Sequence, residues 1–191
     1  MKKIYFIGLI LLFVVVINGC KLSNETNQVS AGNDLASNSV AAQQANVGIE
    51  KGQTPPDFTV TTIDGKQLRL SQFKRENKPV LLYFWATWCP FCRKDFGTLK
   101  NVYPKYAGKV EILAIDLDTS EDDEMIQSYK NKMGLDGIDF ASGSANILSD
   151  YEITHTTTKY AISKDGIILY KGSGAFNEQQ WEVLLNALAS S

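Results

Sequence analysis

The sequence predicts a mixed α/β domain, and three observations predict it. PVLLYFW (residues 79–85) and KVEILAIDLD (residues 109–118) are apolar runs of the kind a strand covered on both faces requires. Two segments carry apolar residues at helical spacing: Phe96, Leu99, Tyr103 and Tyr106 in one, Trp181, Leu184, Leu185 and Leu188 in the other. Asp64-Gly65 and Lys164-Asp165-Gly166 each separate two β-rich runs, which is the signature of a hairpin. The resulting order is ββ-β-α-β-α-β-β-α, with strands joined through helices expected to pair in parallel.

The chain's 191 residues, 44% hydrophobic and 21% charged, support one globular domain with appendages. A net charge of -2 without a long basic cluster argues against a nucleic-acid partner.

The N-terminus reads as a targeting segment. Lys2 and Lys3 precede an uncharged, largely apolar run over residues 4–17, shorter than the roughly 20 residues a membrane helix needs. Ile-Asn-Gly-Cys then ends at Cys20, which resembles a bacterial lipobox and implies lipidation of Cys20. The expected organisation is a signal peptide over residues 1–19, the lipidated Cys20 with a polar tether over 20–47, and a folded domain over 48–191. Cleavage removes two lysines and leaves a mildly acidic chain anchored to the outer side of the membrane. Cys89 and Cys92 then remain as the only pair in a compartment that permits disulfides.

Within the domain, the first apolar run leads into the Cys-bearing helix, which Pro104 should kink or end. A second helix is expected over about residues 121–133, where Ser120 and Asp123 have capping-box spacing and Gly134 marks the end. The last helix should start near Glu178, capped by Asn177.

The chemistry centres on YFWATWCPFCRKDF (residues 83–96), where a strand runs into a helix. Cys89 should sit at the helix N-terminus with Pro90 at the first helical position. Unpaired amides and the helix dipole favour an anion there, drawing the Cys89 thiol from about 8.5 toward the ~3.5–7.5 range of activated thiols. Cys92, one turn on and in phase with Phe96 and Leu99, is expected to be the more buried. That asymmetry makes Cys89 the attacking thiol and Cys92 the resolving one. Trp85 reads as core, whereas Trp88, Pro90 and Phe91 read as the rim. A zinc half-site would need two further ligands, and the chain offers one histidine and no free cysteine beyond the pair.

These residues resemble the active-site stretch of the thioredoxin superfamily, in its TlpA/ResA-like branch of membrane-tethered thiol–disulfide oxidoreductases. GQTPPDFTV, DGKQLRL and SKDGIILYKGSG fit the same branch, and residues 116–140 resemble its strand–helix insertion. The resemblance implies a thioredoxin-like three-layer α/β/α sandwich with a mixed sheet, an N-terminal β extension and that central insertion. It implies exchange of the Cys89–Cys92 pair with protein thiols or disulfides, no cofactor, and, for a reductant, an electron donor in the membrane. Asp95 stands where relatives often carry Glu, as a tuner or proton acceptor for the cysteines, or else a solvated helix acid. Tyr83 occupies the place of the buried Asp of thioredoxins proper.

The pattern breaks at YEITHTTTKYAISKDG (residues 151–166). Thr157 stands where the family has its cis-proline, so Thr156 and Thr157 would face the sulfurs and contact a partner's backbone. The Thr156–Thr157 bond is then either cis, at about 3–4 kcal/mol, or trans in a differently shaped loop. His155, the only histidine, lies close enough in sequence to open an alternative: copper(I) or another thiophilic metal held by Cys89, Cys92 and His155.

Overall fold

A computed structural model describes residues 46–191. The expected signal peptide, Cys20 and nearly all of the tether lie outside the described residues.

The first strands, β1 (Thr59–Thr61) and β2 (Gln67–Arg69), form the antiparallel hairpin expected around Asp64-Gly65, and α1 (Leu70–Arg75) follows directly. The main sheet is built from β3 (Val80–Trp85), β4 (Glu111–Asp116), β5 (Asp139–Ser142), β6 (Thr158–Ile162) and β7 (Ile168–Gly172). Its order is β5-β4-β3-β6-β7. The pairs β3–β4 and β4–β5 are parallel, each closed through a helix: α2 (Pro90–Val102) and α3 (Asp123–Met133). The pairs β3–β6 and β6–β7 are antiparallel. Between β5 and β6 lies α4 (Ala145–Asp150), and α5 (Glu178–Ala189) closes the chain.

Strand alternation sorts the core into two layers. Leu81, Tyr83 and Trp85 of β3 point to one face and pack with Phe96 and Leu99 of α2, Ile126 of α3, and Trp181 and Leu185 of α5. Val80, Leu82 and Phe84 point to the other face, covered by Phe73 of α1, Ile147 of α4 and the hairpin's Val60 and Leu68. Helices on both faces of a mixed sheet give the α/β/α sandwich, with α3 and β5 as the central insertion. The hairpin is the N-terminal β extension. It docks on β5, where the Ile63 amide donates to the Phe140 carbonyl at 2.9 Å.

Three elements are additional to the expected order: α1, β5 and α4. Each spans four to six residues, too few for a hydrophobic period to repeat. One cap also differs. Asp122, not Ser120, caps α3 by accepting the Met125 amide, while Ser120 is drawn to Asp118 instead. The end of α3 is as expected, with Gly134 in the left-handed region at φ 62°. The α5 boundary is as expected too: Asn177 and Gln180 form a reciprocal capping box. Pro104 falls in the short 3-10 turn Tyr103–Lys105 that ends α2.

Candidate active site

Where β3 ends, the chain turns through Ala86, Thr87 and Trp88 into α2. Cys89 is the N-cap of that helix, its sulfur accepting the Cys92 amide at 3.0 Å, and Pro90 takes the first helical position. A sulfur in this position is the anion acceptor that helix starts favour. Cys89 and Cys92 are joined as a disulfide with their Cα atoms 5.2 Å apart.

The expected difference in burial between the two cysteines is absent. Cys89 is 1% and Cys92 0% exposed. Their surroundings differ instead: the Thr156 hydroxyl lies 3.2 Å from Cys89 Sγ and donates to it. Rim and core divide as expected. Trp88 and Phe91 are 59% and 65% exposed, Pro90 is exposed, and Trp85 is fully buried. The Trp88 indole N–H donates to Asp118 at 2.7 Å, which fixes its ring at the mouth.

All peptide bonds of the described residues are trans, including Thr156–Thr157. The loop therefore takes the differently shaped alternative. Thr157 is left-handed at φ 63°, an unfavourable backbone for a β-branched residue. Its hydroxyl donates to the Thr156 carbonyl at 2.6 Å and accepts the Gly174 amide at 2.9 Å.

Beneath the cysteines lies a buried ion pair. Asp95, one turn past Cys92, has no exposed surface, which removes the solvated-acid reading. Its Oδ1 accepts the Phe176 amide and the Trp181 indole N–H, both at 2.9 Å. Its Oδ2 accepts the Tyr83 hydroxyl at 3.0 Å and pairs with Lys159 Nζ at 2.6 Å. Tyr83 thus stands against a buried carboxylate supplied by α2. Its own ionisation is pushed well up, first by burial and then by the Asp95 charge.

Sequence reasoning missed Lys159. It lies in β6 opposite Tyr83, on the face that packs against α2 and α5, and is wholly buried. Burial pulls its pKa below the usual lysine value, and Asp95 opposes that shift. The one available signal was a lone cation at the start of the apolar run KYAI.

A pair of acids backs the rim. Glu121 accepts the Thr87 amide at 3.0 Å and, through its other oxygen, the Thr87 hydroxyl. Asp116, at the end of β4, is 1% exposed and accepts the Asp118 amide at 2.8 Å through Oδ1. Its Oδ2 has no donor. Burial first, and Glu121 second, push the Asp116 carboxyl up to about 8. A proton on Asp116 directed at Glu121 accounts for the vacant oxygen.

The ligand set imagined for a metal is not assembled. His155 is exposed, with Nδ1 3.0 Å from the Thr154 hydroxyl. Among the described residues no three His, Cys, Asp or Glu side chains are grouped to hold a metal ion. No helix among them is long and apolar enough to cross a membrane.

Comparison with known proteins agrees with this geometry. The profile described as the AhpC/TSA family matches residues 51–171. The thiol-disulfide oxidoreductase ResA of Bacillus thuringiensis subsp. konkukian is 33% identical over 141 residues, covering 73% of this chain and 79% of that protein. The thioredoxin-like protein YneN of Bacillus subtilis is 29% identical over 141 residues, covering 73% of this chain and 81% of the relative. Among solved structures, a secreted Mycobacterium tuberculosis disulfide oxidoreductase, homologous to DsbE of E. coli, superposes with a TM-score of 0.60. It is 23% identical, over 69% of this chain and 96% of that one, and so speaks for the fold. The C-x-x-C pair of this chain sits at the start of a helix in a thioredoxin-like sandwich, and the chain belongs to the AhpC/TSA family as a ResA-like thiol–disulfide oxidoreductase.

Proposed function

We propose that the chain is a lipid-anchored, extracytoplasmic reductant of protein disulfides, working through Cys89 and Cys92. Residues 1–19 are the signal peptide, Cys20 carries the lipid, residues 20–47 form the tether, and the domain over 48–191 faces away from the cytoplasm. In the reaction the Cys89 thiolate attacks one sulfur of a partner's disulfide, forming a mixed disulfide and releasing the partner's other sulfur as a thiolate. Cys92 then attacks the Cys89 sulfur. The partner leaves with both sulfurs reduced, two electrons richer, and the Cys89–Cys92 disulfide remains. A dithiol donor in the membrane returns the electrons. Trp88, Pro90 and Phe91 form the docking rim, and Thr156 meets the partner's backbone beside the sulfurs, with the buried Thr157 holding the loop from behind.

The observation that carries the direction is burial. Both sulfurs lie within the apolar core layer as a neutral disulfide, with 1% and 0% exposure. A thiolate there must be desolvated, whereas a disulfide need not be, so the fold favours the oxidised pair and gives it reducing power.

The test is the reduction potential of the purified chain, equilibrated anaerobically against a thiol buffer. A value near the roughly −270 mV of thioredoxin is expected; one near the ~−120 mV of DsbA would make the protein an oxidant. A pair that never cycles removes the reading altogether. The anchor is tested separately: Cys20→Ser should move the protein from the membrane to the soluble fraction, and unchanged partitioning overturns the lipid assignment.

A further inference from the structure

Lys159 touches both halves of the site. Its ammonium has three protons and three partners: Asp95 Oδ2 at 2.6 Å, the Gly174 carbonyl at 2.8 Å and the Thr157 carbonyl at 3.1 Å. The rings of Phe176, Tyr83 and Trp181 surround it, with centroids 4.6, 4.7 and 5.3 Å away. Asp95 is on the helix that carries Cys92. Thr157 adjoins Thr156, whose hydroxyl contacts Cys89. One buried cation therefore joins the helix behind one sulfur to the loop in front of the other.

We propose that Lys159 is a positioning residue for disulfide exchange, neutralising the fixed Asp95 anion behind Cys92 while clamping the Thr156–Thr157 loop over Cys89. The inference rests on the assignment of exchange to Cys89 and Cys92. Its physical basis is closure of the network. Asp95 has all four of its lone-pair directions met by donors, one of them the Lys159 ammonium. Left alone, the carboxylate charge would oppose a thiolate on the same helix. Paired with Lys159, it presents only a dipole.

The titratable groups around the ammonium are Asp95 from α2, Tyr83 from β3 and Tyr170 from β7, the last feeling the Asp95 charge. Trp181 comes from α5, and Arg93 and Lys94 of α2 are exposed. Asp116 and Glu121 stand behind Thr87 on the far side of the mouth.

The test is a thiol titration of the reduced chain, read by thiolate absorbance against pH, in D95N, K159M and the double variant. An ion pair acting on the sulfurs makes the single variants move oppositely. D95N leaves the cation and raises the acid constant of the more acidic thiol by about threefold or more, where tenfold is one pKa unit. K159M leaves the anion, held by its three remaining donors, and lowers that constant by a similar factor. The double variant, with neither charge, returns to within about twofold of the wild type, and so does the charge-conserving K159R.

A packing role alone would lower the melting temperature and leave the titration in place, and that result overturns the inference. Shifts in the same direction overturn it too. If K159M fails to fold, as a stranded buried carboxylate could cause, D95N and the double variant decide by the same criteria. Wild-type protein that never exchanges with a dithiol overturns the assignment to Cys89 and Cys92 and this inference together. Wild-type protein that exchanges, with unshifted variants, overturns only the role of Lys159.

Discussion

Asp95 shows what a single residue can carry here. It meets four donors from four parts of the chain: Tyr83, Lys159, Phe176 and Trp181. A carboxylate so satisfied is an electrostatic fixture, with no lone-pair direction left to take a proton from Cys92. Of the two roles expected for Asp95, tuner or proton acceptor, this arrangement supports the tuning role as the proposal. Thr157 is the complementary case. Its left-handed backbone costs on the order of 1–3 kcal/mol, offset by the Gly174 amide on its hydroxyl and Lys159 on its carbonyl. Proline needs φ near −65° and could not take this backbone, so the loop meets the sulfurs with a hydroxyl from Thr156 where the family places a proline ring. Neither arrangement was legible from the sequence. THTTTKY reads as a polar turn, and only the register of β6 against β3 reveals that Lys159 points inward. Cys89 and Cys92 were legible because a strand-to-helix junction with Pro90 at the first turn leaves a local signature.

At the scale of elements, the loop from β4 to α3 holds the site's mouth. Glu121 grips Thr87 and Asp118 grips Trp88, so two acids of one loop position the two residues before Cys89. Sequence reading placed the flanking strand and helix but not this contact, because Ser120 and Asp123 imitate a cap that Asp122 provides. The short α1, β5 and α4 were missed for lack of length, whereas the longer helices and core strands declared their periods. Asp116 makes the loop's stability depend on pH. Its carboxyl, ordinarily near 3.8, is raised to about 8 in the folded chain, chiefly by burial. Between these values the folded state binds the extra proton, so this group's contribution to stability is full below about pH 4 and is lost as pH rises through about 8. D116N places a permanent N–H toward Glu121 and removes the titration. Urea unfolding should find D116N more stable than the wild type by about 1 kcal/mol or more at pH 8, with a smaller gap at pH 5. A gap independent of pH would assign the vacant Oδ2 some other explanation.

For the whole molecule, the redox state and the fold are one equilibrium. The disulfide lies inside the core layer formed by α2, α3, α5 and one face of the sheet, so its two electrons are exchanged against core packing as well as against a partner. A closed cycle connects folded and unfolded, oxidised and reduced chains. Any excess stability of the folded oxidised form must therefore appear as a lower potential than the same pair shows in the unfolded chain. For a two-electron couple, 30 mV corresponds to about 1.4 kcal/mol. Reducing the pair places two thiols in a site with 1% and 0% exposure, and any thiolate there gives up its water for one amide and the Thr156 hydroxyl. Burial opposes that charge more strongly than these contacts support it. The oxidised chain should thus unfold at higher urea than the reduced chain, by about 2 kcal/mol or more at pH 7, and the gap should widen as pH rises through the thiol range, where the unfolded reduced chain ionises more readily than the buried pair. Parallel unfolding curves with and without a dithiol reductant measure it. A reduced form more stable than the oxidised one would identify a fold built to give its disulfide away, and the direction of electron flow proposed here would have to be reversed.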